Sequence, residues 1–226
     1  MLTIPIQTAN PSGSQESTPT ASVLVIGRSE KVLKETVELL QNNGRAAGAS
    51  NDFDNLLTQF DIASLNTVVF GGMVPPETKE TLRTSLAAAN PTITFVQGLA
   101  GIPGLIAEQV EAALVPSRRD PESVQYKGDS RTVTISLHSA ENVRVIGFWH
   151  TAFVPPDPES TSEIIFDATM DAGTHTMPLP ASIPAAASFI VVHVGTDVHP
   201  FVVGAMPRGT TMASPAARVS RGSREG

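Results

Sequence analysis

The chain has 226 residues, 41% of them hydrophobic, with no cysteine and a formal net charge of -7. This length suits one large domain or two modest ones, with enough apolar residues for a sizeable core. Without cysteine there can be no disulfide, thiolate zinc site or cysteine nucleophile; the acidic balance argues against nucleic-acid binding by bulk charge, and no apolar run approaches the ~20 residues of a membrane span.

Residues 1–21 are rich in Ser, Thr, Pro, Gln and Asn and lack the basic start and long apolar core of a signal peptide, so a disordered tail is expected. Val23-Leu24-Val25-Ile26 is an unbroken apolar run, as a strand covered on both faces requires. Gly27 ends it and Ser29 can cap the following helix, whose stripe is Val32, Leu33, Thr36, Val37 and Leu40 and whose stop is Asn43-Gly44. Arg45 to Ser50 gives a weak, alanine-rich second strand. Asn51 is expected to cap a helix carrying Phe53, Leu56, Leu57 and Phe60 at i, i+3, i+4 and i+7. Thr67 to Phe70 is a third strand closed by Gly71-Gly72, and Pro75-Pro76 opens a helix with Leu82, Leu86 and Ala89 inward. Thr92 to Val96 is a fourth strand before Gly98, and Ile102, Leu105, Ile106, Val110 and Leu114 mark a fourth helix.

Strand and helix thus alternate over residues 22–115, which predicts a four-stranded parallel doubly wound sheet of order 2-1-3-4. Residues 116–123, with prolines and charges, read as a linker. Beyond it the apolar period changes from 3.6 to 2, as in Val133, Ile135 and Leu137. Further strands are expected at Val124–Lys127, Val143–Trp149, Thr174–Leu179, Phe189–Val194 and Phe201–Met206, and in a stretch with Ile164, Phe166, Ala168 and Met170 on one face. About seven short strands over 124–206 predict a small antiparallel β-sandwich, a barrel being the alternative. Residues 207–226 read as a second disordered tail. It is basic, with Arg208, Arg218, Arg221 and Arg224 against Glu225, and gives at most a weak contact with nucleic acid.

At VLVIGRSE, VVFGGMVPP and FVQG the segment 22–114 resembles a response-regulator receiver domain, or more loosely a flavodoxin-like module. The resemblance implies that Gly27 and Arg28 stand where that family keeps an acidic pair for magnesium. Gly71 stands at the phosphoacceptor aspartate and Gln97 at the switch Ser/Thr, while the family's late lysine has no counterpart. What it implies is a pseudo-receiver used for contact or ligand sensing. The second half resembles an immunoglobulin or fibronectin type III sandwich in strand count and length, which implies an interaction module.

Glycines at three strand ends leave room for a ligand above an open α/β sheet, and the amides of Arg28 to Glu30 suit an anion. The candidate ligand site is Gly27, Arg28, Ser29, Gly71, Gly72 and Gly98. No dinucleotide or triphosphate fingerprint accompanies it, and no cofactor is expected. All five histidines, His138, His150, His175, His193 and His199, lie in the β-rich half with Asp167 and Asp197. Their spacing forms no metal motif, and no metal site is expected. Asp157 and Glu159 read as a solvated turn and Ser29 as a cap, leaving no catalytic group. Phe153-Val154-Pro155-Pro156 is a candidate partner patch. The expectation is a cytoplasmic, non-catalytic, two-domain binding protein with a protein partner or homodimer. The alternative is an enzyme or sensor holding a nucleotide-like or other anionic ligand at the strand ends.

Overall fold

The computed structural model describes residues 1–7, 22–115, 117, 119–153 and 157–205. The first elements are β1 (Thr3–Gln7), β2 (Ser22–Ile26), α1 (Glu30–Asn42), β3 (Ala46–Ser50), α2 (Leu56–Gln59), β4 (Thr67–Phe70), α3 (Pro76–Ala89), β5 (Thr94–Gln97) and α4 (Pro103–Leu114). The strands form one sheet in the order β1-β3-β2-β4-β5. This corrects the expected four-stranded parallel sheet: the sheet has five strands and is mixed, because β1 runs antiparallel along β3.

Residues 3–7, read as tail, are that fifth strand; 8–21 lie outside the described residues. TIPIQ escapes a pattern reading because it is short and holds Pro5, which only an edge strand accommodates. What makes room for it is the smallness of AAGAS in β3, buried at every position. A Cβ on Gly48 would lie 2.6 Å from the Ile4 carbonyl oxygen and 2.9 Å from the Ile6 nitrogen. The alanines and glycine that weaken β3 as a strand are therefore what admits its neighbour.

Both faces of the sheet are covered. Val23, Val25, Ala47, Ala49 and Val69 pack against Val32, Leu33, Val37 and Leu40 of α1 and Ile106, Ala107 and Val110 of α4. The opposite side chains, Leu24, Ile26, Val68 and Phe70, meet Leu56, Phe60, Ile62, Leu82 and Leu86. Period-2 alternation within fully apolar strands thus feeds two cores. The helix expected from Asn51 to Phe60 contracts to the four residues of α2. Asn51 is diverted, accepting from the Leu2 amide at 2.5 Å. Asp52 is held in a turn by Asn55 and Gln59 amides at 2.9–3.1 Å, which keep its pKa below the usual carboxylate value. Leu57 consequently points outward, 48% exposed.

The later strands are β6 (Val124–Lys127), β7 (Thr132–Leu137), β8 (Glu141–Ala152), β9 (Glu159–Met170), β10 (Gly173–Pro178), β11 (Ser188–Val194) and β12 (Asp197–Gly204). They make two antiparallel sheets, β10-β7-β6 and β12-β11-β8-β9. Between them lie Val124, Val133, Ile135 and Leu137 from one sheet and Val143, Val145, Ile190, Val192 and Val194 from the other. A bulge breaks the β8–β9 register, with Val145 opposite Phe166 and Ile146 opposite Ile164. Ile165 is the extra residue and packs inward, whereas Ile164 turns out and is 53% exposed. The expected common face of Ile164 with Phe166 and Met170 is corrected accordingly.

The four-stranded sheet is covered on its other side as well. Ile146, Phe148, Phe189 and Val191 form one cluster with Ala100 and Ile102 just before α4 and Leu105 in its first turn. Gly104 allows this approach, since a Cβ there would sit 2.8 Å from Phe148 Cε1. Helix α4 therefore belongs to two cores, and β8 and β11 are apolar on both faces for that reason. Among the described residues no helix is long and apolar enough to cross a membrane.

Candidate functional site

The carboxyl ends of the parallel strands bring Gly27, Gly71 and Gly98 into one row. The Gly71 amide donates to Ile26 O at 2.8 Å and that of Gly98 to Phe70 O at 2.9 Å. A Cβ on Gly71 would lie 3.3 Å from Ile26 O and 3.4 Å from the Gly27 Cα; one on Gly98 would lie 3.2 Å from Phe70 O. None of the three has a positive φ. Close packing of adjacent strand ends, rather than turn conformation, favours glycine at Gly71 and Gly98, whereas a Cβ on Gly27 would meet the Leu33 side chain of α1, 3.2 Å from Cδ2. Gly72 stands apart in open space, and Arg28 is exposed.

The chain's own groups occupy the end of this row. Ser29 caps α1, its Oγ accepting from the Val32 amide at 3.2 Å, and donates its proton to the carboxylate of Asp157. Asp157 comes from the loop before β9, so an internal carboxylate takes the position at the positive end of α1 that suits an anion. Gln97 Nε2 donates to the Phe70 and Gly98 carbonyls at 3.0 Å each. Gln109 of α4 accepts from the Leu99 amide and donates to Gln97 O, both at 3.0 Å. Glu159 addresses other neighbours, lining a polar cleft of about 200 Å³ with Lys31, Glu35 and Ser160.

The histidines do not converge. Among the described residues no group of three or more His, Asp or Glu could hold a metal ion. His193 Nε2 lies 3.0 Å from Glu108 of α4, tying the four-stranded sheet to the helix. Arg119 meets Glu141 and, at 2.9 Å, Asp197. His199 sits beside that pair, where burial first and the Arg119 and His193 charges next lower its pKa against the opposing pull of Asp197. Burial also lowers the pKa of His150, whose ring packs 4.9 Å from that of Phe153. His175 Nε2 is 2.8 Å from the Asp171 carbonyl, and His138 is exposed. Of the candidate partner patch, Phe153 is 40% exposed, while Val154, Pro155 and Pro156 lie outside the described residues.

A feature that strand patterns did not reveal lies on the open side of the antiparallel half. Among the described residues, strands β9 and β10 are edges of their sheets, and they flank a groove of about 700 Å³. Ile135, Ile165, Phe166, Met170 and Met177 give it an apolar lining, and Glu163 and His175 bring polar groups to it. Strand β9 is twelve residues long and carries Glu159, Glu163 and Asp167 without a lysine or arginine. Its sequence signal was the four-residue spacing of these acids, continued by Asp171, within a strand otherwise rich in Ser, Thr and Ile. Comparison of the sequence with protein-family models and with curated proteins gave no match.

Proposed function

We propose that this is a non-catalytic binding protein whose contact surface is the β9–β10 edge, with the α/β half as a rigid support. The observation that carries the reading is the twelve-residue strand β9, which among the described residues pairs on one side only, with β8, and lies beside an apolar groove. An extended segment added there would gain main-chain hydrogen bonds from β9 and side-chain burial from Phe166, Met170 and Met177. The resemblance to fibronectin type III modules is supported by the strand orders β10-β7-β6 and β12-β11-β8-β9. The resemblance to receiver domains supports contact rather than phosphorylation, because Gly27, Arg28 and Gly71 supply no carboxylate. A ligand at Gly27, Arg28 and Ser29 would have to displace Asp157. A cytoplasmic setting belongs to the reading on the strength of the missing cysteines.

The test is a panel of extended peptides titrated against the full chain by fluorescence anisotropy, with hydrogen exchange locating the contact. Binding that protects β9 amides and is lost in Phe166→Lys supports the reading. Absence of binding across the panel, or protection confined to other strands, refutes it.

A further inference from the structure

Among the described residues the three sheets present six edge strands, β1, β5, β6, β9, β10 and β12. Strands β1, β10 and β12 hold Pro5, Pro178 and Pro200, each of which removes an amide whatever strand approaches. Strands β5 and β6 are only four residues long. Strand β9 has twelve residues and no proline; its guards are a bulge at Ile164 and Ile165 and the carboxylates Glu159, Glu163 and Asp167. A proline turns away every strand, whereas a carboxylate turns away only strands of like charge. The β9 edge is therefore the one of the six whose protection is selective.

We propose that the occupant of the β9–β10 groove is an extended segment of another protein in which apolar residues alternate with lysine or arginine. This rests on the edge being a binding surface, and it adds the chemistry of what binds there. Charge complementarity carries it. From Glu159 to Val192 the sequence has Glu159, Glu163, Asp167 and Asp171 and no lysine or arginine, so β9, β10 and the turn between them offer an incoming strand acids and no cation. Arg144 of β8 stands 3.5 Å from Asp167, but both side chains are about half exposed. A pair so hydrated and screened is weak, and it leaves Asp167 able to accept a second cationic donor.

The bulge sets which positions of the occupant meet which residues. Glu163 and Phe166 both line the groove, because the extra residue shifts the phase between them, while Asp167 lies on the other face with Arg144. Phe166 and Met170 ask for apolar side chains opposite them, and Glu163 and Asp167 for cations. A second copy pairing through its own β9 would instead set these carboxylates against one another. Exposed ion pairs of this kind contribute up to about fivefold in affinity each, so two of them separate a basic segment from a neutral one by about tenfold.

The experiment titrates the full chain with three synthetic peptides that share one alternating valine frame and carry Lys, Gln or Glu at the intervening positions. Fluorescence anisotropy at low and high salt reads affinity, and hydrogen exchange of β9 amides reads location. The Lys peptide should bind about tenfold more tightly than the Gln peptide, protect β9, and lose that advantage in high salt, with the Glu peptide weakest. In a Glu163→Lys, Asp167→Lys protein, both changes at exposed sites, the order of the Lys and Glu peptides should invert. The Gln peptide should keep its affinity there, which shows that the variant is folded with its groove intact. Equal binding of the Lys and Gln peptides, or an order that does not invert, overturns the proposal while β9 remains a binding surface. No binding by any peptide, or protection confined to other strands, overturns both. Protection of β9 that grows with protein concentration without peptide overturns the proposal in favour of a second copy.

Discussion

Replacing Gly104 by alanine tests the junction between the two halves, because two effects of opposite sign meet at one atom. Gly104 lies in the first turn of α4, where alanine improves helix propensity by up to about 1 kcal/mol. The same Cβ would stand 2.8, 3.5 and 3.7 Å from Cε1, Cδ1 and Cζ of Phe148. Carbon atoms in contact prefer roughly 3.5–4.0 Å, so the ring must retreat by about 0.7 Å or more. Phe148 has little room to do so, being 5% exposed and packed with Ala100, Ile102, Leu105, Phe189 and Val191. Overpacking costs about 1–3 kcal/mol, and for a ring this confined the upper part of that range, about 2–3 kcal/mol, applies. Offset by the propensity gain of about 1 kcal/mol, it leaves a net loss of about 1–2 kcal/mol and a melting temperature lower by roughly 2–8 °C. Urea unfolding followed at the single tryptophan, Trp149, next to Phe148 in β8, measures this directly. Phe148→Leu in the Gly104→Ala background should recover part of the loss through a favourable coupling term. A Gly104→Ala protein as stable as the parent, or more so, would mean that helix propensity dominates and that α4 is not pressed against β8.

Four further outcomes are expected. Gly48→Ala should dislodge β1, since its Cβ would lie 2.6 Å from the Ile4 carbonyl; hydrogen exchange at Asn51, whose amide bonds to Leu2 O, should accelerate while that of β4 is unchanged. Asn90→Ala should cost about 2–4 kcal/mol in chemical denaturation, because the buried amide serves the Ile62 and Leu65 carbonyls and the Thr92 amide together. Stability should be greatest above about pH 7 and fall as pH drops through 6.5, because the unfolded chain accepts protons on His150 and His199 that the folded chain, with their pKa values lowered by burial, resists. In His150→Asn that slope should be shallower, and an unchanged slope would exclude His150 as its source. Asp157→Ala should lower stability by about 0.3–1 kcal/mol, an effect that shrinks with added salt, as expected for a carboxylate at a helix start.

Local pattern determined the elements whose partners are close in sequence. The run Val23–Ile26, the Ser29 cap and the stripe of α1 are legible because a strand buried on two faces must be apolar throughout and a helix buried on one must repeat every 3.6 residues. The alternation of β7 is legible for the corresponding reason, with Val133, Ile135 and Leu137 buried and their neighbours half-buried. Contacts between distant segments were decided only by the tertiary structure. Pairing of β1 with β3 depends on small side chains some forty residues away, and the shortening of α2 depends on Asn51 being engaged by Leu2. The glycines at the strand ends were visible as glycines, but their reason was not: the packing of neighbouring strands against Gly71 and Gly98, with Asp157 reaching Ser29 from 128 residues on, exists only in space. The β9–β10 groove is of the same kind. A single edge strand reads like any other alternating segment, and it becomes a groove only when two sheets close over one core and leave one side open.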